Sequence, residues 1–379
     1  MPPARETFER LRGQRVLMAP SHSGGLEVFV MFHLSRMLRR EWHYMAGHES
    51  FLPPLQGWLL QHVGCYSIVR ASPDRESFRT TRRILAEGKR SLVVFPEGES
   101  VFQNDVVLPF QEGVAQLAFW ALEDLAKQGD PPPLHFLPMA IKYIYLNDMR
   151  AEIERALARL ERKVGITVPL GATYYTRLRA VGEVVLSIGE SDYGVKPAPG
   201  ASLDERLQHI KHIIVERIAL ALGVADDPQR PLVDRIRLLF NEIERWSYED
   251  LDESEYLRER RQQRQEKARV LYDDLMRVLQ MAALHEGYVG ETQTPERFLE
   301  VIGRLELEVY RRRWVRGPRK AIIQVGEPIN VTDLLADYRR DRRGAVRAVT
   351  QTTESAVLTM LHQLGRFTSP LDPPTSASP

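Results

Sequence analysis

The chain has 379 residues, of which 43% are hydrophobic and 27% are charged, and this globular composition excludes a wholly disordered, collagen-like or disulfide-scaffold protein. The 52 Lys and Arg residues nearly balance the 51 Asp and Glu residues, so the net charge does not indicate a nucleic-acid partner, and none is expected. Cys65 is the single cysteine, which excludes an intramolecular disulfide and a multi-cysteine zinc site; no metal site is expected.

The N-terminal segment carries charges throughout and lacks the apolar core of a signal peptide. No stretch reaches the roughly 18 uncharged apolar residues that a membrane-spanning helix needs. The sequence therefore predicts a cytoplasmic protein. Attachment to the inner face of a membrane stays open, because it needs only a basic or apolar surface.

The first half of the chain alternates short apolar runs with helical periodicity, which is typical of α/β architecture. Between two of these runs, Ser72, Pro73 and Gly88 predict the cap, the first turn and the end of a helix. Further helices are predicted over 111–127 and before Gly165. Strands are predicted at 15–19, 42–46, 65–69, 91–95 and 136–145. The predicted fold class is α/β, a mixed β-sheet flanked by helices.

The second half is predicted to be mainly helical. Ser202 and Glu205 form a capping-box pattern, and Thr294-Pro295 predicts another helix start. Helices are predicted at 232–246, 255–286, 295–313 and 345–364. The predicted domains are an α/β domain at 10–225, a mainly helical region at 226–365 with a strand at 321–325 that can rejoin the sheet, and a disordered Pro- and Ser-rich tail at 366–379.

The loop after the first predicted strand contains a candidate acid–base pair. His22 and Glu27 would lie about 140° apart on one regular helix, so they meet only if His22 is on the loop and Glu27 on the first helical turn. Gly24-Gly25 makes that bend easy. A carboxylate on one imidazole nitrogen would leave the other as a general base. The alternative interpretation is a solvated loop histidine and a glutamate that favours the helix start.

Three other blocks also lie in or after predicted strands. Glu97 and Gly98 follow an apolar strand in FPEGES, and Arg70 ends GCYSIVR. An arginine there can hold a phosphate with two hydrogen bonds or form a surface ion pair. Cys65 is interpreted as a small buried residue rather than an acyl-carrying nucleophile. The fourth block, LPMAI at 137–141, predicts a buried strand.

Taken in order, SHSGGLE, GCYSIVR, FPEGES and LPMAI resemble the four sequence blocks of the glycerolipid acyltransferases, the lysophosphatidate and glycerol-3-phosphate acyltransferases. The intervening segments MAGHESFLPPLQGWLLQHVG and LPFQEGVAQLA are also similar to that family. The resemblance covers roughly residues 14–145 and extends to the Gly-Glu-Pro-Ile segment at 326–329.

The sequence departs from the family pattern at four places. The family's aspartate is Glu27, giving a His-x4-Glu motif, and Ser21 replaces the asparagine before the histidine. The aromatic residue of the second block, Tyr66, stands one place early. Glu99-Ser100 replaces a Thr-Arg pair, which removes a cation near the acceptor and adds a carboxylate that repels a phosphate.

The resemblance implies an acyltransferase in which His22 and Glu27 are catalytic and Arg70, Glu97 and Gly98 bind substrate. His22 would take the proton of an acceptor hydroxyl as it attacks an acyl thioester. Acyl-CoA or acyl carrier protein would serve as co-substrate, with no other cofactor. The acceptor would be a lipid or polyol of the glycerolipid type. The alternatives are a non-catalytic lipid-binding or scaffold homologue, and a thioester hydrolase.

Arginine clusters in the second half allow two interpretations. They can attract an anionic membrane surface, coenzyme A phosphates or an acidic carrier protein. They can equally form a solvated, ion-paired helix face. The clusters lie at 258–269, 311–320 and 339–343. The sequence leaves the oligomeric state open.

Overall fold

The computed structural model describes residues 2–69, 74–248, 255–290 and 293–371. The chain divides into two units. The first comprises Met1–Ser100, Val107–Lys142 and Ala321–Gly365, and the second comprises Val101–Val106, Tyr143–Lys320 and Arg366–Pro379. The predicted boundary near residue 225 falls inside the second unit, and the predicted domain limits stay a prediction.

The apolar runs of the first half form the strands of one sheet, in the order β3-β2-β4-β1-β5-β6, with β7 beside β5. The strands are β1 (Arg15–Pro20), β2 (Trp42–Gly47), β3 (Cys65–Ile68), β4 (Ser91–Val93), β5 (Leu134–Tyr145), β6 (Arg319–Val325) and β7 (Ile329–Asn330). Strand β1 runs parallel to β4 and β5, and β7 runs antiparallel to β5. The predicted mixed α/β sheet is therefore confirmed, and the predicted strand at 321–325 lies in it.

Helices supply the other regular elements of the described structure. They are α1 (Pro2–Arg10), α2 (Glu27–Leu38), α3 (Pro54–His62), α4 (Arg75–Glu87), α5 (Gly113–Ala126), α6 (Arg150–Val164), α7 (Tyr174–Asp192), α8 (Leu203–Leu222), α9 (Leu232–Tyr248), α10 (Glu255–Met281), α11 (Gly287–Gly290), α12 (Pro295–Tyr310), α13 (Leu335–Arg340) and α14 (Arg342–Leu364). Short 3₁₀ turns lie at His48–Phe51, Val331–Leu334 and Gly365–Phe367. The mainly helical second half is confirmed.

Side chains cap the starts of several helices, α4, α7, α8, α12 and α14. The capping box at Ser202 and Glu205 is present. At α4 the cap is Asp74, whose side chain accepts the Ser77 N–H, because the carboxylate reaches this unpaired donor of the first turn. The predicted cap and first-turn residues, Ser72 and Pro73, lie outside the described residues.

The core of the first unit joins distant parts of the chain. Leu17 on β1 stands opposite Leu92 on β4 and Phe136 on β5, and all three are buried. Tyr338 on α13 stacks on Phe119 of α5, with ring centroids 4.3 Å apart and planes 5° from parallel. The segment after residue 320 thus completes the core of the α/β unit.

The second unit packs helices around its own apolar core. Ile153 and Leu157 of α6 meet Val181 of α7 and Phe298 and Ile302 of α12. A buried carboxylate, Glu306, accepts hydrogen bonds from Arg159 at 2.8 Å and Arg316 at 2.5 Å. Such paired burial satisfies a charge that would otherwise be costly inside a protein.

The predicted disordered tail falls partly outside the described residues, which end at Leu371. Leu371 is buried in the core of the second unit, and its N–H donates to the Gln293 carbonyl. Among the described residues, no helix has the length and apolar content to cross a bilayer.

Replacing Tyr338 tests whether the segment after residue 320 stabilises the α/β unit. We expect Tyr338→Ala to lower the free energy of unfolding by about 3–5 kcal/mol, because a fully buried ring is lost from the Phe119 stack. Tyr338→Phe keeps the ring and loses only the hydrogen bond from Gln116, so it should cost about 1 kcal/mol. Urea unfolding measures both, and equal losses would contradict the packing role.

Candidate active site

The site lies where β1 and β4, which are parallel neighbours, reach their carboxyl ends. This edge is where α/β sheets place their ligands. One residue, Ser21, separates His22 from the end of β1, and Glu27 is the first residue of α2. The chain folds back between them at Gly25, whose positive φ of 76° is easy for glycine. The bend therefore places the loop histidine beside the helix start.

His22 and Glu27 form the predicted pair. Nδ1 of His22 lies 3.0 Å from Oε2 of Glu27. The other carboxylate oxygen accepts the Gly24 N–H at 2.8 Å, and the Glu27 side chain is fully buried. This carboxylate favours the tautomer with the proton on Nδ1, which leaves Nε2 as the basic nitrogen. The His22 side chain keeps 22% of its surface exposed, so it is open to a substrate.

The ring of His22 is also held from the side by Phe95. The two ring centroids lie 4.5 Å apart, with 30° between the planes. Phe95 opens the FPEG block after β4. The aromatic contact and the Glu27 hydrogen bond together restrict the imidazole to one orientation, which is the kind of support that a general base needs.

Glu97 is buried beneath the histidine loop. Its Oε1 accepts the backbone N–H of His22 at 2.6 Å, and its Oε2 accepts that of Leu108 at 2.8 Å. Burial raises the pKa of Glu97 to about 7, although these two hydrogen bonds and the nearby His22 lower it in part. These hydrogen bonds make Glu97 a positioning residue for the His22 backbone. Its predicted contact with substrate stays a prediction.

Gly98 adopts a conformation that favours glycine, with φ of +79°. A Cβ there would lie 1.9 Å from Nε2 of Gln111, so the Gln111 side chain would have to move. The Gly98 N–H donates to the Phe95 carbonyl at 3.1 Å and closes the turn. In this geometry Gly98 shapes the loop that carries Glu97, and an acceptor or oxyanion contact stays a prediction.

The remaining predicted groups are placed as follows. Arg70 lies outside the described residues. Cys65 is buried on β3, and burial raises the pKa of its thiol to about 11, which disfavours the reactive thiolate. Ser21, which stands where the family has asparagine, is fully buried and accepts the Ile141 N–H at 3.0 Å. It therefore links the end of β1 to β5.

Sequence reasoning missed the supporting groups of this site. Leu108 and Gly24 contribute only backbone N–H groups, which have no side-chain signature. Phe95 and Gln111 did lie in segments that resemble the family, FPEGES and LPFQEGVAQLA. That proximity was the one signal available for them. Within the described ranges, no cluster of three His, Cys, Asp or Glu residues is arranged to hold a metal ion.

Many arginines of the second half are engaged within their own units. Arg316 is paired with Glu152 and Glu306, and Arg342 contacts Glu123. The guanidinium carbons of Arg312 and Arg313 lie 4.3 Å and 4.2 Å from the ring centroids of Trp314 and Phe102, respectively. Side chains at 258, 260 and 261 lie outside the described residues. A membrane role for these clusters stays a prediction.

The comparison with known proteins covers the part of the chain that builds this site. Residues 4–142 match the family model described as acyltransferase. The resemblance to the glycerolipid acyltransferases is confirmed. A curated 1-acyl-sn-glycerol-3-phosphate acyltransferase of Streptococcus pneumoniae is 28% identical over 127 residues. That alignment spans 34% of this chain and 43% of the relative, less than half the length of either. The acyltransferase segment includes β1 to β4 and the site residues His22, Glu27 and Glu97.

The buried carboxyl of Glu97 in the acyltransferase segment predicts a pH dependence. Its folded pKa of about 7 lies above the ordinary value of 4.5, so folding favours the protonated form. The contribution of this raised pKa to the free energy of unfolding is fully present below about pH 4.5. It is lost as pH rises through about 7, at up to about 1.4 kcal/mol per pH unit. We expect the unfolding free energy of the wild type to fall over this range relative to Glu97→Gln.

Urea unfolding of both proteins between about pH 5 and about pH 8 measures this difference. Glu112→Gln is the matched control, since it removes an exposed carboxylate of the same unit and should keep the wild-type slope. A pH-independent difference between the wild type and Glu97→Gln would contradict the raised pKa.

Proposed function

We propose that the chain moves a fatty acyl group from an acyl thioester to a hydroxyl of a glycerolipid-type acceptor, with His22 as general base. The observation that supports this most is the buried Glu27 carboxylate on Nδ1 of an otherwise accessible histidine. The resemblance to lysophosphatidate and glycerol-3-phosphate acyltransferases over the same segment supports the type of reaction and acceptor.

In the proposed reaction, Nε2 of His22 removes the proton of the acceptor hydroxyl while its oxygen attacks the thioester carbonyl carbon. A tetrahedral intermediate forms. It then collapses as the carbon–sulfur bond breaks, and the imidazolium returns its proton to the departing thiolate. The ester and a free thiol are the products. Glu27 lies beside the ring when the ring carries its positive charge, and Glu97 keeps the His22 backbone in place.

Coenzyme A or acyl carrier protein is the proposed carrier of the acyl group, and the reaction needs no other cofactor because a thioester is already activated. For the acceptor, lysophosphatidate or a glycerol-3-phosphate-like molecule fits the family resemblance. Arg70 is the proposed phosphate ligand. Glu99-Ser100 in place of Thr-Arg argues for weaker phosphate binding than in the family, since like charges repel.

Two other functions fit the same segment. In a non-catalytic lipid-binding homologue, the fold would persist while the motif changes at Glu27 and at Glu99-Ser100 remove activity. In a thioester hydrolase, the same histidine would activate water. The non-catalytic homologue does not explain as directly why the Glu27 carboxylate is buried on the histidine and also held by the Gly24 N–H. The hydrolase would use the same pair, and the resemblance to acyltransferases favours transfer over hydrolysis.

We propose a peripheral position on the cytoplasmic face of a membrane, and an apolar surface on the first unit supports the membrane contact. Leu55, Trp58 and Leu59 on α3 are 72%, 54% and 50% exposed. Leu52 and Val63 flank them and are also exposed. Contiguous exposed apolar side chains of this kind mark interaction surfaces, and Trp suits the bilayer interface.

Replacing the two site residues tests the proposed chemistry. We expect His22→Ala to lower kcat/KM by about 10²–10⁴-fold because the general base is lost. Glu27→Gln should lower it by about 10²–10⁴-fold, since the amide no longer supports the charged ring. Mass spectrometry of ester products, with acyl-CoA and acyl carrier protein donors tested against lysophosphatidate, glycerol 3-phosphate and neutral polyols, measures the effect.

His33→Ala is the matched control, because His33 is an exposed histidine on α2 and should keep full activity. Equal ester formation by the wild type and His22→Ala would remove His22 from the mechanism. Free fatty acid without ester would favour the hydrolase, and no turnover with any donor would favour the non-catalytic homologue.

Removing apolar side chains from α3 tests the membrane contact. We expect Leu55→Ser combined with Leu59→Ser to weaken binding to phosphatidylglycerol vesicles by about tenfold, because two leucines no longer leave water on binding. Vesicle cosedimentation measures this. Leu220→Ser, at an exposed leucine on α8 of the second unit, should bind as the wild type does. Unchanged binding of the double variant would exclude α3 as the contact.

A further inference from the structure

The second unit holds a cavity of about 610 Å³ among α6, α7, α8, α10 and α12. This volume lies in the range of about 300–1,000 Å³ that small-molecule sites occupy. Aliphatic side chains form most of the apolar wall, among them Val185, Leu186, Leu207, Ile210, Ile214 and Val301. Such a wall suits a flexible hydrocarbon chain.

A buried guanidinium, that of Arg304, also lines the cavity. It donates to Oε1 of Gln280 at 3.0 Å and to the Arg277 carbonyl at 3.2 Å, and it contacts Glu308. Its Nε–H has no acceptor among the described residues. A buried donor without an acceptor is unfavourable.

Cations outnumber acids around Arg304. Arg277 and Arg304 both contact the Glu308 carboxylate. Burial raises the pKa of Glu308, but the hydrogen bond from Arg277 and the charges of Arg304, Arg277 and Arg311 lower it overall. Asp274 is a second acid near Arg277, at 3.8 Å. Three guanidinium groups therefore face two carboxylates at this end of the cavity.

Lys163 adds a further positive charge to the lining. Its Nζ lies 6.0 Å from the ring centroid of Tyr310, and neither Lys163 nor Arg311 has an ion-pair partner in the part of the chain that the structure describes. The cavity also has acids in its wall. Of these, Glu286 is paired with Arg179, and Asp204 accepts the Glu286 N–H, while Asp192 also lines the cavity.

We propose that this cavity binds a single-chain acyl amphiphile with an anionic head group, the chain against the aliphatic wall and the head group at Arg304, Arg311 and Lys163. A fatty acid and a lysophospholipid share this chemistry. The inference goes beyond the proposed function, because every lining residue belongs to the second unit whereas His22, Glu27 and Glu97 belong to the first.

Titration calorimetry on the full chain tests the proposal with three soluble probes: decanoate, a decanoyl lysophosphatidate and decanol. We expect saturable binding of an anionic probe, about tenfold tighter than that of decanol, because only a charged head group gains from the cationic end. Tighter binding of decanoate would identify a carboxylate head group, and tighter binding of the lysophosphatidate would identify a phosphate. Binding of neither anion overturns the proposal.

A side chain that fills the cavity should weaken ligand binding. A Cβ at Gly182 on α7 meets no atom within 4 Å, and this glycine lines the cavity. Gly182→Leu therefore occupies the space without backbone strain, and leucine favours the helix more than glycine does. We expect about tenfold or greater loss of affinity for the anionic probe, with no fall in Tm. Ala180→Leu, on the same helix but outside the lining, should bind as the wild type does.

Two further variants identify the head-group end and separate this site from the active site. Lys163→Gln combined with Arg311→Gln should reduce the preference for decanoate over decanol by about fivefold or more. His22→Ala should bind decanoate as the wild type does, whether or not acyl transfer is observed. Unchanged binding by Gly182→Leu, or loss of binding in His22→Ala, would place the probe elsewhere and overturn the proposal.

Discussion

The hydrogen bonds of the buried Glu97 carboxylate hold the candidate site together. One oxygen accepts the His22 N–H and the other accepts the Leu108 N–H, so a single side chain after β4 fixes the loop after β1 and the segment that leads to α5. Neither of those loops has regular secondary structure at these points to satisfy its own donors. Without Glu97, two backbone N–H groups would lose their acceptor in the interior, which proteins rarely tolerate.

Glu97 and Glu27 act on the same residue from different sides. Glu97 holds the backbone of His22, and Glu27 holds its ring. Both carboxylates are buried, and the charge of Glu27 contributes to the raised pKa of Glu97. Backbone N–H groups of Gly24, His22 and Leu108 offset this repulsion. The two buried carboxylates therefore fix the position of a partly exposed imidazole.

The sequence predicted the strands well because each buried strand is a short apolar run, as at β1 and β5. Helix α7 was not predicted: Gly182, Gly189 and its valines have low helix propensity, and the helix forms because Leu178 and Val181 pack into the core of the second unit. At the site, the spacing allowed contact only if His22 is on the loop and Glu27 on the first helical turn, and the structure has that arrangement. The burial of Glu97 was not predicted, because its partners are backbone groups of residues distant in sequence.

The first unit is discontinuous along the chain. The chain leaves this unit at the end of β5 and returns to it in β6, the neighbouring strand of the sheet. Residues 143–320 between these points belong to the second unit, and residues 321–365 belong to the first. During synthesis, at about 5–20 residues per second, the ribosome must deliver residues 143–320 of the second unit before Val331, Leu335 and Tyr338 can close the α/β core. The core of the second unit is nearly complete by then. The second unit should therefore complete its core before the first unit does, although the first unit begins earlier in the chain.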